Sequence, residues 1–383
     1  MLACQRALFD IPREVCFLNA ASWSPLPLRT QEAGKVAVAR KGRPWLIDNA
    51  FAAGQYDRTR AAAARLINAA PEDVALISSV GYGVSTAAKI VSVPAGSRVL
   101  VLNDDHSSAV LEWLTRAKSG DFTVETVHRS GNGDWTEALL AAIEQPGAAP
   151  IRMVSISSVH WSDGGQVDLA RVAPAIRQRG GMLLVDATHS VGVTEIDVRK
   201  LDPDFIAFPT YKWLLGPYGR AFLYVAKRHQ SGVPLEQTSY GRRAVRAEQD
   251  VYFTDTDYVA GARRYDMGER DHFISMEMAA IGMGMVAQWG SAAIVERLAM
   301  LTGRLAEGLR GANVEIPDAR LRAPHILSLG FSGGMPKGLI EALAAEDVHV
   351  APRLGRVRIS PHVYNDEDDV DRFVEVFRRL LPR

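Results

Sequence analysis

The chain has 383 residues, more than one hydrophobic core usually organises, so two domains are expected. Its 44 basic residues equal its 44 acidic residues, which argues against nucleic acid or an anionic membrane as a partner. Two cysteines, Cys4 and Cys16, are too few for a disulfide framework or a cysteine-based metal site. No leader or long apolar span is apparent, and we expect a cytoplasmic protein that acts on a small molecule.

Short apolar runs alternate with helical patterns through the middle of the chain. Amphipathic stretches such as 134–145 and 168–179 separate them. The runs predict seven strands, at 75–78, 98–102, 122–127, 151–157, 181–187, 205–208 and 221–226. Such alternation is typical of an α/β fold with a mostly parallel sheet covered by helices on both faces.

The last third of the chain has a different pattern. A Met- and Ala-rich stretch from about 275 to 309 predicts one long connecting helix. The tail predicts a smaller α/β domain, with strands at 326–331 and 356–360 and helices at 336–346 and 366–381. We therefore predict a large domain at 16–260, a connection at 261–289, and a small domain made of 1–15 and 290–383.

Polar residues after the strands are the first candidates for a site, because open α/β sheets bind ligands beyond the carboxyl ends of their strands. Asp186 ends one apolar strand, and Lys212 follows the next. This pair indicates a lysine that binds a carbonyl and a carboxylate that keeps a pyridine nitrogen protonated. A structural ion pair at the strand ends is the alternative.

The turn after the first strand, SSVGYGVST, contains Gly81, Tyr82 and Gly83 and enters a helical pattern. Free N–H groups at such a turn form a phosphate cradle. A plain strand-to-helix turn is the alternative. A nicotinamide-binding turn is disfavoured, because GYGVST lacks the third glycine of GxGxxG.

Four segments together carry a family resemblance: VHWSDGGQVDL, VDATHSVG, TYKWLLGPYG and RISPHVYNDEDDVD. They resemble the class V aminotransferase family, which includes the cysteine desulfurases, and most closely its isopenicillin N epimerase-like, kynureninase-like or C–S lyase branch. The resemblance implies fold type I (aspartate aminotransferase-like) and pyridoxal 5′-phosphate (PLP) as cofactor. It also implies an amino-acid substrate and a homodimer with active sites at its interface.

The resemblance also assigns residues around the cofactor. It makes Lys212 the Schiff-base lysine and Asp186 the partner of the pyridine nitrogen. His189 lies near the phenolic oxygen, unless it is an ordinary buried histidine. The turn at 81–83 binds the phosphate, and Thr210 is a hydroxyl donor to it.

Three further positions are less settled by the resemblance. His106 either stacks on the cofactor ring or caps a helix, and Trp161 either borders the pocket or packs in the core. RRYDMGERDHF resembles the segment that reaches the neighbouring subunit's phosphate site. Glu269 there replaces the usual Thr, so that backbone N–H groups would have to bind the phosphate.

The resemblance assigns the substrate carboxylate to Arg353, in VAPRLGRVRIS. Asn19 is a further candidate substrate-binding residue. Arg358 is the rival, and its alternative is a structural ion pair in the small domain. Either guanidinium suits a carboxylate, because it binds in a bidentate way.

Motifs that the sequence lacks exclude several classes of reaction. No cysteine follows Cys16, so a persulfide-forming desulfurase is excluded unless an outside acceptor takes the sulfur. HExxH, CxxC and Walker A motifs are missing, so metal and nucleotide chemistry have no support. The branch favours β-elimination from a cysteine-derived substrate, with Lys212 as general base. An aminotransferase or epimerase is the alternative, and a non-catalytic PLP-binding protein is the alternative of another class.

Overall fold

The computed structural model describes residues 2–245 and 250–381. Its α-helices are α1 Leu28–Lys41, α2 Asn49–Leu66, α3 Val80–Ile90, α4 Ser107–Ala117, α5 Trp135–Glu144, α6 Leu169–Gln178, α7 Val198–Leu201, α8 Phe273–Trp289, α9 Ser291–Gly308, α10 Leu339–Ala345 and α11 Glu367–Leu380. Its strands are β1 Cys16–Phe17, β2 Val74–Ile77, β3 Arg98–Leu102, β4 Thr123–Val127, β5 Ile151–Ser157, β6 Met182–Asp186, β7 Phe205–Pro209, β8 Ala221–Val225, β9 Arg242–Val245, β10 Phe253–Tyr258, β11 Leu327–Leu329, β12 Val348–His349, β13 Ala351–Arg353 and β14 Arg356–Ile359.

The seven strands predicted for the middle of the chain form one sheet, in the order β2-β8-β7-β6-β5-β3-β4. Strand β8 is antiparallel to both neighbours, and the other pairs are parallel. Successive side chains of a strand point to opposite faces of the sheet, so alternate residues are buried in two different apolar clusters. In β3, Leu100 belongs to one apolar cluster and Val101 to the other. Burial on both faces explains why these strands read as apolar runs.

The smaller sheet lies at the C-terminal end, with the antiparallel order β11-β14-β13. Strand β1 pairs in parallel with β12, with Cys16 opposite Val348. Residues 16–17 therefore pair with the C-terminal part of the chain, and the domain boundaries stay a prediction.

The predicted single connecting helix is instead two helices, α8 and α9, which meet at an 80° bend. Gly290 joins them with φ +79°, a left-handed conformation that other residues rarely adopt. Within the described residues, no helix by itself is long and apolar enough to cross a membrane; only this bent pair, taken together, has the length and composition.

Helix α8 supports the loop that follows β7. A side chain at Gly282 would place its Cβ 2.7 Å from the carbonyl oxygen of Leu215, so only glycine allows this close approach. The loop that carries Lys212 is thus packed between the sheet edge and α8, which makes it a rigid support for a functional side chain.

Candidate active site

Lys212 lies in a loop closed by Thr210. The N–H of Gly216 donates to the carbonyl of Thr210 at 2.9 Å, and the Thr210 hydroxyl donates to the carbonyl of Pro217 at 2.6 Å. Thr210 is fully buried, and the carbonyl of Arg220 lies 3.2 Å from the same hydroxyl. In this structure the single proton of the hydroxyl closes the loop, so the role of Thr210 as a donor to the phosphate stays a prediction.

The amine of Lys212 is buried and is easily deprotonated. Burial, followed by the positive charge of Arg358, lowers the pKa of Lys212 to about 7, although the carboxylate of Asp186 acts in the opposite direction. A neutral amine is the form that attacks a carbonyl and accepts a proton. The environment therefore suits Lys212 to both roles.

Asp186 ends β6 and is also buried. Its Oδ1 accepts the N–H of Thr188 at 2.9 Å. Within residues 2–245 and 250–381 it forms no salt bridge, so the alternative of a structural ion pair with Lys212 is wrong. A buried carboxylate without a cationic partner is costly, and it fits a site that awaits a positively charged group.

His189 contacts Lys212 directly, with 3.2 Å between its Nε2 and the lysine Nζ. Its Nδ1 accepts the indole N–H of Trp213 at 3.0 Å. Burial and the charge of Lys212 hold the pKa of His189 well below its usual range, so the imidazole is neutral. The structure thus brings His189 to the site rather than into the general core.

His106 and Trp161 lie at the edge of the same site, with ring centroids 5.9 Å apart at 84°. His106 caps α4, since its Nδ1 accepts the N–H of Ser108 at 3.3 Å, and burial lowers its pKa. Trp161 is half-buried and donates to the carbonyl of Asp104 at 2.7 Å. His106 therefore caps α4 without being solvent-facing, its stacking on the cofactor ring stays a prediction, and the half-buried Trp161 lies at the edge of the site.

Arg353 and Arg358 converge on one hydroxyl. Their guanidinium groups donate to Ser22 Oγ at 2.8 Å and 2.7 Å. Arg358 is 1% exposed, and burial together with Arg353 lowers its pKa to about 9. In the described part of the chain neither arginine forms a salt bridge, so the alternative of a structural ion pair at Arg358 is wrong.

Asn19 lies in the same N-terminal loop as Ser22. It forms a β-bridge with Ser360, two residues beyond Arg358. Its Oδ1 is buried and accepts no hydrogen bond from the described residues. Such an orphan acceptor next to the arginine strand is consistent with a substrate-binding position.

The predicted phosphate cradle is the N-terminus of α3. Ser79 caps this helix by accepting the N–H of Tyr82 at 3.1 Å, and the N–H of Gly83 donates to Ser79 O at 3.2 Å. The N–H groups of Val80 and Gly81 have no acceptor in the described chain and remain available to an anion. Gly83 has another role: a Cβ there would lie 2.9 Å from Ile77, so it allows the helix to pack on the sheet.

The segment RRYDMGERDHF is anchored beside this cradle by Asp266. Its carboxylate accepts two hydrogen bonds from Arg60, at 3.0 Å and 2.8 Å, and the N–H of Leu76 at 2.8 Å. The N–H of Gly268 donates to the carboxylate of Glu236, so it is not free for a phosphate. Glu269 has φ +53° and lines a cavity of about 730 Å³ next to α1, α2 and α8.

The geometry can be compared with known proteins. The sequence matches the family described as Aminotransferase class-V over residues 48–373. The chain belongs to the class-V aminotransferase family. Isopenicillin N epimerase of Amycolatopsis lactamdurans is 25% identical, over 95% of this chain and 94% of that protein.

Solved structures share the fold of this class-V enzyme. The apo structure of cysteine desulfurase from Thermococcus onnurineus NA1 gives a TM-score of 0.85 at 20% identity, covering 99% of this chain and 98% of that one. C-DES, described as a cystine C–S lyase, gives 0.84 at 16% identity, covering 97% and 99%. The predicted PLP fold type I is confirmed.

The cofactor of this class-V enzyme is PLP, as the resemblance implied. The described residues fit PLP, because they provide a buried amine at Lys212, a carboxylate without a salt bridge to them at Asp186, and N–H groups without an acceptor among them at Val80 and Gly81. When bound, PLP supplies an electron sink that stabilises a carbanion at the substrate α-carbon.

Three residues of the site were missed from the sequence. Ser22 lies more than 330 positions from both arginines, so no local pattern links them. Trp213 was adjacent to Lys212 but offered no pattern beyond an apolar residue. Asp105, whose carboxylate accepts the N–H groups of Ser157 and His106 at 2.8 and 2.7 Å, was visible as a polar residue after a strand.

Proposed function

We propose that this class-V enzyme holds PLP on Lys212 and cleaves a carbon–sulfur bond of a cysteine-derived amino acid by β-elimination. The substrate class we infer carries a second anionic group, as the disulfide of two cysteines does. The observation that carries this proposal is the pair of arginines on Ser22 Oγ, which have no carboxylate partner in the described chain.

Two guanidinium groups held this close repel each other. Burial, followed by the charge of Arg353, lowers the pKa of Arg358, so the positive charge of Arg358 is destabilised until an anion binds. A substrate α-carboxylate is assigned to Arg358, because it is the more buried of the two and perturbs Lys212 more strongly. Arg353, half-buried and 5.8 Å from the ring of Trp161, then remains for the second anionic group.

Proton transfer in this proposal is assigned to Lys212. Once released from the cofactor, its amine removes the α-proton as general base, which its pKa of about 7 favours near neutral pH. His189 stays neutral and orients the amine through the 3.2 Å contact.

The leaving sulfur stays with the small molecule. No cysteine occurs between residues 17 and 383, and burial raises the pKa of the Cys16 thiol. Loss of the α-proton and the β-sulfur leaves an enamine that hydrolyses to pyruvate and ammonia, and a cystine substrate would release the persulfide of cysteine. The C–S lyase C-DES was solved in complex with cysteine persulfide as its reaction product.

A homodimer is part of this proposal. On α1, Val36 and Val38 are more than half exposed, as is Trp45 just beyond it. Of these, Val36 lines the cavity of about 730 Å³, which Glu269 and Phe273 also line. The occupant we infer is a second copy of the chain, because the resemblance assigns that segment to the partner's phosphate site.

The experiment is an assay of purified, PLP-loaded enzyme with L-cystine, L-cysteine and, as a sulfur-free control, L-alanine. We expect pyruvate, ammonia and persulfide from cystine and none from alanine. Formation of a keto acid only when an acceptor keto acid is present would instead indicate an aminotransferase. Inversion at the α-carbon without pyruvate would indicate an epimerase.

A further inference from the structure

A directional chain of hydrogen bonds ends at Lys212. Trp213 is 1% exposed, and its indole nitrogen lies 3.0 Å from Nδ1 of His189. An indole N–H is a donor only, so Nδ1 of His189 must present its lone pair. A neutral imidazole then carries its proton on Nε2, the atom that lies 3.2 Å from Nζ of Lys212.

The surroundings keep this imidazole neutral. The groups that act on it are Lys212, Arg358, His325 and His106, and each adds to the effect of burial in lowering the pKa of His189. With a single ring proton, the tautomer decides whether His189 donates or accepts at Lys212. Among the described residues, Trp213 is the one partner of the ring whose hydrogen-bonding role is fixed, because the amine of Lys212 can donate or accept.

The C-terminal part of the chain fixes the backbone of both partners. Nε2 of His325 lies 2.7 Å from the carbonyl oxygen of His189, and Nε2 of His362 lies 3.3 Å from that of Trp213. Carbonyl oxygens only accept, so both histidines donate. Burial lowers the pKa values of His325 and His362 to about 3 and about 4, so both stay neutral.

We propose that Trp213 is a positioning residue that fixes His189 in the Nε2–H tautomer. His189 then always donates a hydrogen bond toward the group bound at Lys212. The identity of that acceptor, the phenolic oxygen of PLP, rests on the proposed function. The tautomer itself does not.

The first test reads the tautomer by NMR of protein labelled with ¹⁵N-histidine, with the His189 signal identified by its loss in His189→Gln. We expect a neutral ring protonated on Nε2 in the native protein. Protonation on Nδ1 of His189 in the native protein would by itself overturn the proposal, whatever the variants at Trp213 show. In Trp213→Phe we expect the preference to vanish or reverse.

The second test reads the visible absorbance of the PLP-loaded protein against pH. Donation to the phenolic oxygen favours its anionic form, so its loss in Trp213→Phe should raise the pH midpoint by about one unit. The matched control is Trp113→Phe. Trp113 is fully buried as well, but its indole N–H has no hydrogen-bond partner in the described chain.

A double-mutant cycle separates positioning from packing. The side-chain amide of His189→Gln carries its donor hydrogens on nitrogen in every case, so its donation does not depend on a tautomer. Adding Trp213→Phe to this variant should therefore leave the pH midpoint of the visible absorbance unchanged. An equal shift in Trp113→Phe, or an undiminished effect of Trp213→Phe in the glutamine background, would contradict the proposal. Failure of the elimination assay would refute the proposed reaction but leave both readouts intact.

Discussion

Arg353 and Arg358 donate to the same oxygen atom, Ser22 Oγ, from 2.8 Å and 2.7 Å. The sequence alone ranked Arg353 first as the carboxylate binder. Burial and the effect on Lys212 now favour Arg358 for the α-carboxylate and leave Arg353 for a second anionic group.

The arginines can be tested side by side. Arg358→Ala should lower kcat/KM for every amino-acid substrate by roughly two to three orders of magnitude, because a charge-assisted contact worth about 2–4 kcal/mol is lost. Arg353→Ala should lower kcat/KM for cystine more than for cysteine. Steady-state kinetics on both substrates checks this, with Lys89→Ala as a control variant. An equal loss on both substrates in Arg353→Ala would argue against the second anionic group.

Asp186→Asn should weaken the electron sink while changing the shape of the site little. The amide cannot hold the pyridine nitrogen protonated as a carboxylate does, so we expect turnover to fall by at least about tenfold to a hundredfold. Retained PLP, measured by absorbance, is the control that the site still forms. Turnover near that of the native protein would show that Asp186 has another role.

The pKa of Lys212 predicts how fast cofactor-free protein takes up PLP. The neutral amine is the form that reacts, and its pKa is about 7, so the rate should rise up to about pH 7 and then level off. With an ordinary lysine, the rate would continue to rise toward the usual lysine pKa of about 10.4. Removing the positive charge in Arg358→Ala should raise the pKa of Lys212 and move the plateau to higher pH. Stopped-flow absorbance measures this, and pyridoxal without its phosphate controls for phosphate titration. If the plateau stays at the same pH in Arg358→Ala, the charge of Arg358 does not influence the pKa of Lys212.

The dimer proposal predicts a mass in solution of twice the 41.8 kDa chain. Light scattering on active, PLP-loaded protein checks it. Val36→Glu places a carboxylate at an apolar position of α1 that lines the cavity and should produce monomers that lose activity. Leu111→Glu, at an exposed site in α4 outside the cavity, is the matched control. A monomeric and fully active native protein would refute the proposal.

Local patterns predicted the sheet well and the side-chain partners poorly. The strands that end in Asp186 and precede Lys212 are buried on both faces, so their apolar runs are unmistakable. Thr210 had the right position for a phosphate ligand, yet its hydroxyl closes its own loop. The bend at Gly290 was missed because the apolar pattern continues across the break.

Lys212 is the residue that should carry the cofactor, and borohydride reduction of the PLP-loaded protein followed by peptide mapping identifies the lysine that does. Reduction converts the link between lysine and PLP into a stable secondary amine. We expect the pyridoxyl mass on the peptide that contains Lys212, and its absence from that peptide after Lys212→Ala. A pyridoxyl group on Lys89, Lys200 or Lys227 in the native protein would show that another lysine binds the cofactor.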